Sequence, residues 1–175
     1  FKKIKVNQFN SVYIILLLLV IVSFVYKPVF YRTANIFNML RQASALGVMT
    51  SGLLFVIIAG GVDLSVAATM QMAIVLFTYG YNMFGIAGLI GGIILSLALG
   101  IAMGIINGTI VTRYHVQPFL TTLFTGSILT GIRFIITGIK PAGVIPDAVR
   151  VIGKGSIGLV PNAVTVFILV IIVCY

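Results

Sequence analysis

The chain has 175 residues, of which 61% are apolar and only 7% charged. A soluble domain carries about a quarter charged residues, so this composition excludes a water-solvated globule and requires an integral membrane protein. The formal net charge of +9 does not mark a nucleic-acid binder, because the basic residues are scattered around apolar runs and form no dense basic and aromatic stripe.

A helix rising about 1.5 Å per residue needs roughly 20 residues to cross a hydrocarbon core of about 30 Å. By that measure the first span is Phe9 to Tyr26, preceded by Lys2, Lys3 and Lys5 and closed by Lys27-Pro28. No small-residue cleavage pattern follows it, so we expect a retained signal anchor rather than a removed peptide. Ala43 to Val62 is the second span. The uncharged stretch from Leu64 to Thr112 is 49 residues long, too long for one crossing, so it must turn. Tyr79-Gly80-Tyr81-Asn82 is the strongest local turn signal, which predicts a third span near Ser65 to Phe77 and a fourth from Gly85 to Val111. Pro118 opens a fifth, stopped after Thr137 by Gly138 and Pro141.

Lys140 to Asn162, rich in Pro, Gly and charge, is the expected extramembrane segment. Apolar character resumes at Ala163, but the 13 residues to Tyr175 are too few to cross. The expected fold is therefore an all-α polytopic transmembrane helix bundle, broken near Gly60 to Asp63. Residues 1–175 read as the N-terminal part of one longer domain, with about five spans and a partial sixth. Phe1 in place of Met agrees with that reading.

Basic residues do not decide the orientation. Simple alternation puts Lys2, Lys3, Lys5 and Arg113 on the N-terminal side and Lys27, Arg32, Arg41, Lys140, Arg150 and Lys154 opposite, against an N-terminus-inside arrangement. A broken helix making a single crossing between Ala43 and Tyr79 would swap the later loops and favour it.

Asp63 is the only charge in the 71 residues from Gln42 to Thr112, and it follows Gly60-Gly61. Two glycines before an acid predict a helix ending at the glycines and another starting at Leu64, with the carboxylate capping the N–H of Ser65 or Val66. Two readings stand: a cap or interface residue, or a group in a transport pathway, since broken helices at membrane depth line cavities or are buried by protein. In the fifth span Thr122, Gly126, Thr130, Arg133 and Thr137 share one helical face. That polar stripe must face protein or water, either lining a cavity or packing against another helix. In the fourth span Gly88, Gly92, Ser96, Gly100, Gly104 and Gly108 recur every four residues, a smooth ridge for close helix packing. Asn107 beside it is suited to a hydrogen bond between helices.

Catalytic chemistry has little to work with. One His (His115), one Cys (Cys174) and two Asp assemble neither a metal cluster nor a nucleophile triad. Gly153-Lys154-Gly155-Ser156 is only loosely similar to a phosphate loop, with Ala148 in place of its first glycine and Gly155 in place of its Ser or Thr. No cofactor or ATP site is expected.

The run Gly60-Gly61-Val62-Asp63-Leu64-Ser65-Val66 resembles the permease subunits of ribose-type sugar ABC importers. Asn38 to Ser44, Asn107-Gly108, Pro118 to Leu123, Arg133, Thr137-Gly138 and the prolines Pro141, Pro146 and Pro161 follow the same pattern in the same order. Departures fall at Ala67, Ala68, Phe124 and Phe134. The resemblance implies a multi-pass protein of the bacterial cytoplasmic membrane that forms a pathway with a second permease chain, identical or a close paralogue. It also implies two cytoplasmic ATPase subunits and an external binding protein that delivers the sugar. ATP chemistry would belong to the partner, and the segment gripping the ATPase would lie beyond Tyr175. Asp63, Ser65, Thr122, Thr130 and Arg133 are then the candidates for the pathway or its gate. The competing classes are an ion-coupled secondary transporter using Asp63 as carrier and a noncatalytic subunit of a membrane complex.

Overall fold

The computed structural model describes residues 8–138, 145, 147–158 and 160–174; Lys2, Lys3, Lys5, Lys140, Pro141 and Pro146 lie outside them. The elements are α1 (Gln8–Tyr26), a 3-10 turn (Pro28–Tyr31), α2 (Thr33–Ile58), α3 (Val66–Arg113), α4 (Pro118–Thr137), α5 (Asp147–Lys154), β1 (Ser156–Ile157), β2 (Val160–Pro161) and α6 (Asn162–Cys174). The chain is a helical membrane bundle, with one short antiparallel strand pair between α5 and α6.

Helix α1 carries apolar side chains all round and leaves them exposed, as a lipid-facing helix does. The 3-10 turn folds back on its end, where the Tyr31 hydroxyl lies 2.7 Å from that of Ser23 and its ring lies 5.3 Å from that of Phe24. Helix α2 starts at Thr33, well before the expected Ala43. The added turns hold Asn35, Asn38 and Arg41, and Arg41 Nη1 donates to Asn38 Oδ1 at 2.9 Å. Hydropathy marks only the hydrocarbon-buried part of a helix, whereas backbone hydrogen bonding continues through its polar interfacial turns.

Helix α2 also ends earlier than expected, at Ile58. Gly60 takes φ +78°, its N–H donates to Ile57 O and the Gly61 N–H donates to Val56 O, each at 2.9 Å. These bonds form a Schellman motif, in which a left-handed glycine satisfies the last carbonyls.

The predicted turn at Tyr79 to Asn82 is not there. Those residues are helical, and the chain reverses at Gly85, with φ +61° and ψ −137°, a conformation glycine reaches without steric cost. Helix α3 is thus two arms, residues 66–84 and 86–113, so the third span extends past Phe77. The arms run back along each other: a Cβ on Gly80 or Gly88 would strike the other's carbonyl, and one on Gly92 would strike the Phe77 backbone. Ser96 Oγ donates to Ala73 O at 3.1 Å beyond them. Gly80 is therefore a contact residue rather than a turn residue. The ridge divides in the same way. Gly88, Gly92 and Ser96 meet the opposing arm, whereas Gly100, Gly104 and Gly108 have no such neighbour within 4 Å.

The two arms and α4 enclose the small core, Ala68, Met72, Val75, Met103 and Leu129. Helix α4 begins with Pro118, whose missing N–H costs nothing at a helix start. It ends at Gly138, whose left-handed cap (φ 59°) donates its N–H to Phe134 O. Helix α2 packs instead on α6, where the Phe167 ring lies over Gly47.

Candidate functional site

Residues 59–65 join α2 to α3 without helical structure, between two helices long and apolar enough to cross a membrane, and backbone polar groups cannot be left to lipid. The N–H groups of Ala59, Gly60, Gly61, Leu64 and Ser65 are bonded locally. Asp63 Oδ1 accepts the Ser65 N–H at 2.7 Å and the Ser65 hydroxyl at 2.6 Å. The carboxylate thus stands at the start of α3, where free N–H groups and the helix dipole favour negative charge. Thr122 of α4 completes the clamp. Its Oγ1 accepts the Leu64 N–H at 3.1 Å and lies 3.2 Å from Val62 O and 3.0 Å from Pro118 O, either of which can take its proton.

A buried relay extends from the clamp. Thr125 Oγ1 donates to Asn107 Oδ1 at 2.7 Å, Asn107 Nδ2 donates to Ser65 Oγ at 2.9 Å, and Ser65 donates onward to Asp63. Ser65 is 1% exposed and Asn107 7%, so the bond between them forms away from solvent, where leaving a partner unmade is costly, and the bonds at either end are part-buried. Gly126 allows the approach: a Cβ there would lie 3.2 Å from Ser65 Cα.

The break is flanked by two cavities that share no lining residue. One, of about 390 Å³, is bounded by Val56, Asp63, Gly104, Asn107, Pro118 and Thr122 among others. The other, of about 420 Å³, is bounded by Leu64, Ala67, Gln71, Gly126, Ser127 and Thr130 among others. Neighbours in sequence fall on different cavities, Asp63 against Leu64 and Thr122 against Leu123. The break and the first half of α4 therefore form the wall between them.

Of the residues singled out from sequence, Asp63, Ser65 and Thr122 come together in this wall. Thr130 does not join them; it lines the second cavity, with its hydroxyl donated to Gly126 O at 2.9 Å. Arg133 stands apart near the end of α4, its guanidinium 4.3 Å from the Phe134 ring centre and its Nε buried without a hydrogen-bond partner among the described residues. Thr125 was missed by the sequence reading because it lies one position off the stripe defined by Thr122 and Gly126. Among the described residues, no group of three or more His, Cys, Asp or Glu is placed to hold a metal ion.

A protein-family model described as branched-chain amino acid transport system / permease component matches residues 35–175. The chain is similar to the ribose import permease protein RbsC of Bacillus subtilis, with 37% identity over 126 residues, covering 72% of this chain and 38% of that protein. It is similar to RbsC of Haemophilus influenzae, with 30% identity over 140 residues, covering 74% and 39%. It is also similar to the D-allose transport system permease protein AlsC of Escherichia coli, with 27% identity over 135 residues, covering 75% and 40%. The chain thus spans about two fifths of the length of these relatives. No solved structure matches it. With the matched region running from the start of α2 through every later helix, the chain belongs to the permease-component family of branched-chain amino acid transport systems.

Proposed function

We propose that this chain is part of the transmembrane permease subunit of an ATP-binding-cassette importer in the bacterial cytoplasmic membrane. It would help form the pathway for a monosaccharide or related small polar solute delivered by an external binding protein. Cytoplasmic ATPase subunits hydrolyse the ATP, and a second permease chain completes the pathway. The permease itself performs no covalent chemistry.

The observation that carries this reading is the pinned non-helical break at Asp63, which with α4 walls off two cavities in a membrane bundle of the permease family. Irregular backbone at membrane depth accompanies pathways. The similarity to ribose and D-allose permeases supports a sugar as the solute. Asp63 Oδ1 is engaged by two bonds from Ser65, one from its N–H and one from its hydroxyl, so the carboxylate has a part in holding the break whatever drives transport. Asp63, Ser65 and Thr122 act in the gate wall, Thr130 lines the path, and Arg133 is the basic group at its end.

The test is uptake of labelled D-ribose and D-allose by cells expressing the full-length permease with its ATPase and binding protein. Asp63→Asn and Arg133→Gln variants are compared with it at matched membrane abundance. Reduced uptake in the variants is expected; unchanged uptake in both would remove these residues from the pathway.

A further inference from the structure

The cavity on the Leu64 side of the wall, about 420 Å³, is within the range of roughly 300–1,000 Å³ that small-molecule sites occupy. Ser127 and Thr130 lie near the middle of α4, at a depth where polar side chains face protein or water rather than lipid. Their hydroxyl protons go to Leu123 O at 2.8 Å and Gly126 O at 2.9 Å, which leaves their oxygens free to accept. Across the groove Gln71, on the first arm of α3, is exposed, and no hydrogen bond among the described residues engages its amide. That amide carries two donors and an acceptor, and hydrocarbon offers partners to none of them.

Every described residue lining the groove is uncharged, and Leu64 and Ala67 supply apolar surface beside the polar groups. Donors for hydroxyl oxygens, acceptors for hydroxyl protons and apolar surface for C–H faces together suit a polyol. The ammonium and carboxylate of an amino acid, or a phosphate, would meet no opposite charge among the described lining residues. We propose that Gln71, with Ser127 and Thr130, forms a polar subsite for a neutral, polyhydroxylated solute of monosaccharide size as it crosses the membrane. This subsite rests on the importer reading, and it adds a specificity residue, Gln71, that the wall around Asp63 does not contain.

The experiment uses the full-length permease assembled with its partner subunits. Single-cysteine variants Gln71→Cys and Ser127→Cys, and Leu17→Cys on the lipid-facing α1 as control, are made with Cys174 and any other cysteine replaced. Each is treated with a hydrophilic methanethiosulfonate reagent in the presence of D-ribose, D-allose, L-leucine or ribose 5-phosphate. The subsite predicts that Gln71→Cys and Ser127→Cys react much faster than Leu17→Cys, and that a neutral sugar slows them severalfold while leucine and the phosphate do not. Gln71→Leu should raise the KM for sugar uptake about tenfold, the loss of about one hydrogen bond, at unchanged abundance. Reaction of Gln71→Cys no faster than the control, its crosslinking to a second copy, or absence of sugar protection would each overturn the subsite. Sugar uptake without protection contradicts the subsite alone, whereas protection without any uptake contradicts the importer reading alone.

Discussion

Asn107 Nδ2 donates to Ser65 Oγ across 2.9 Å and so ties the second arm of α3 to the residue that precedes the first. The bond joins positions 42 apart in sequence, and it holds the Ser65 hydroxyl so that its proton points to Asp63. The break between α2 and α3 is thus fixed from three sides: by Asp63 from within, Asn107 from the hairpin, and Thr122 from α4.

Replacing Asn107 with Leu removes the donor to Ser65 and the acceptor for Thr125 at a buried position. A stability loss of about 1–3 kcal/mol is expected, read as a lower unfolding temperature of the detergent-solubilised protein. A change no larger than that of an exposed control such as Ile105→Ala would contradict the role of the relay.

Thr122→Val keeps the shape of the side chain but leaves the Leu64 N–H without its acceptor. We expect a loss of about 1–2 kcal/mol and faster proteolysis or cysteine labelling within residues 59–65. Thr122→Ser, which retains the hydroxyl, should stay near wild type. Equal behaviour of the two variants would show that the hydroxyl is dispensable.

Gly85→Ala forces a side chain onto φ +61° and ψ −137°, at a cost of about 1–3 kcal/mol. Gly88→Val should be more damaging, since its side chain meets the Gly80 carbonyl, whereas Gly100→Ala meets open space and adds helix propensity. The ranking of folded yield, Gly100→Ala above Gly85→Ala above Gly88→Val, is the measurement. An equal effect of all three would contradict the hairpin.

His115 is the non-glycine residue with positive φ among the described residues, at 53°, in the loop between α3 and α4. A left-handed conformation is strained for a side chain and free for glycine. His115→Gly is expected to raise stability by about 0.5–1 kcal/mol after the larger entropy of glycine in the unfolded chain is counted. His115→Val should lower it, and thermal unfolding of both variants checks the sign.

Much of this architecture was legible in the residues. A lone acid after two glycines, in 71 residues without other charge, announced the break and the bond from the Ser65 N–H to the carboxylate, though Ser65 and not Asp63 is the N-cap of α3. The turn was misplaced because Tyr79-Gly80-Tyr81-Asn82 has the stronger local turn chemistry, while Gly85 reverses the chain where the Gly80 and Gly88 backbones must meet. That requirement is tertiary and leaves no local signature. Thr125 was hidden for a related reason: a threonine in an apolar helix becomes a relay member only when Asn107, on a different helix, faces it. Gln71 is one polar residue in an apolar arm, and its surroundings emerge only when α4 closes the groove.

The central claim, an ATP-driven permease, is tested most directly in proteoliposomes containing the full-length permease, its ATPase subunits and its binding protein. Labelled sugar uptake is measured with and without ATP, and with ionophores that collapse proton and sodium gradients. The account predicts uptake that requires ATP and the binding protein and is untouched by the ionophores. Uptake driven by an imposed ion gradient without ATP, and lost in Asp63→Asn, would contradict it.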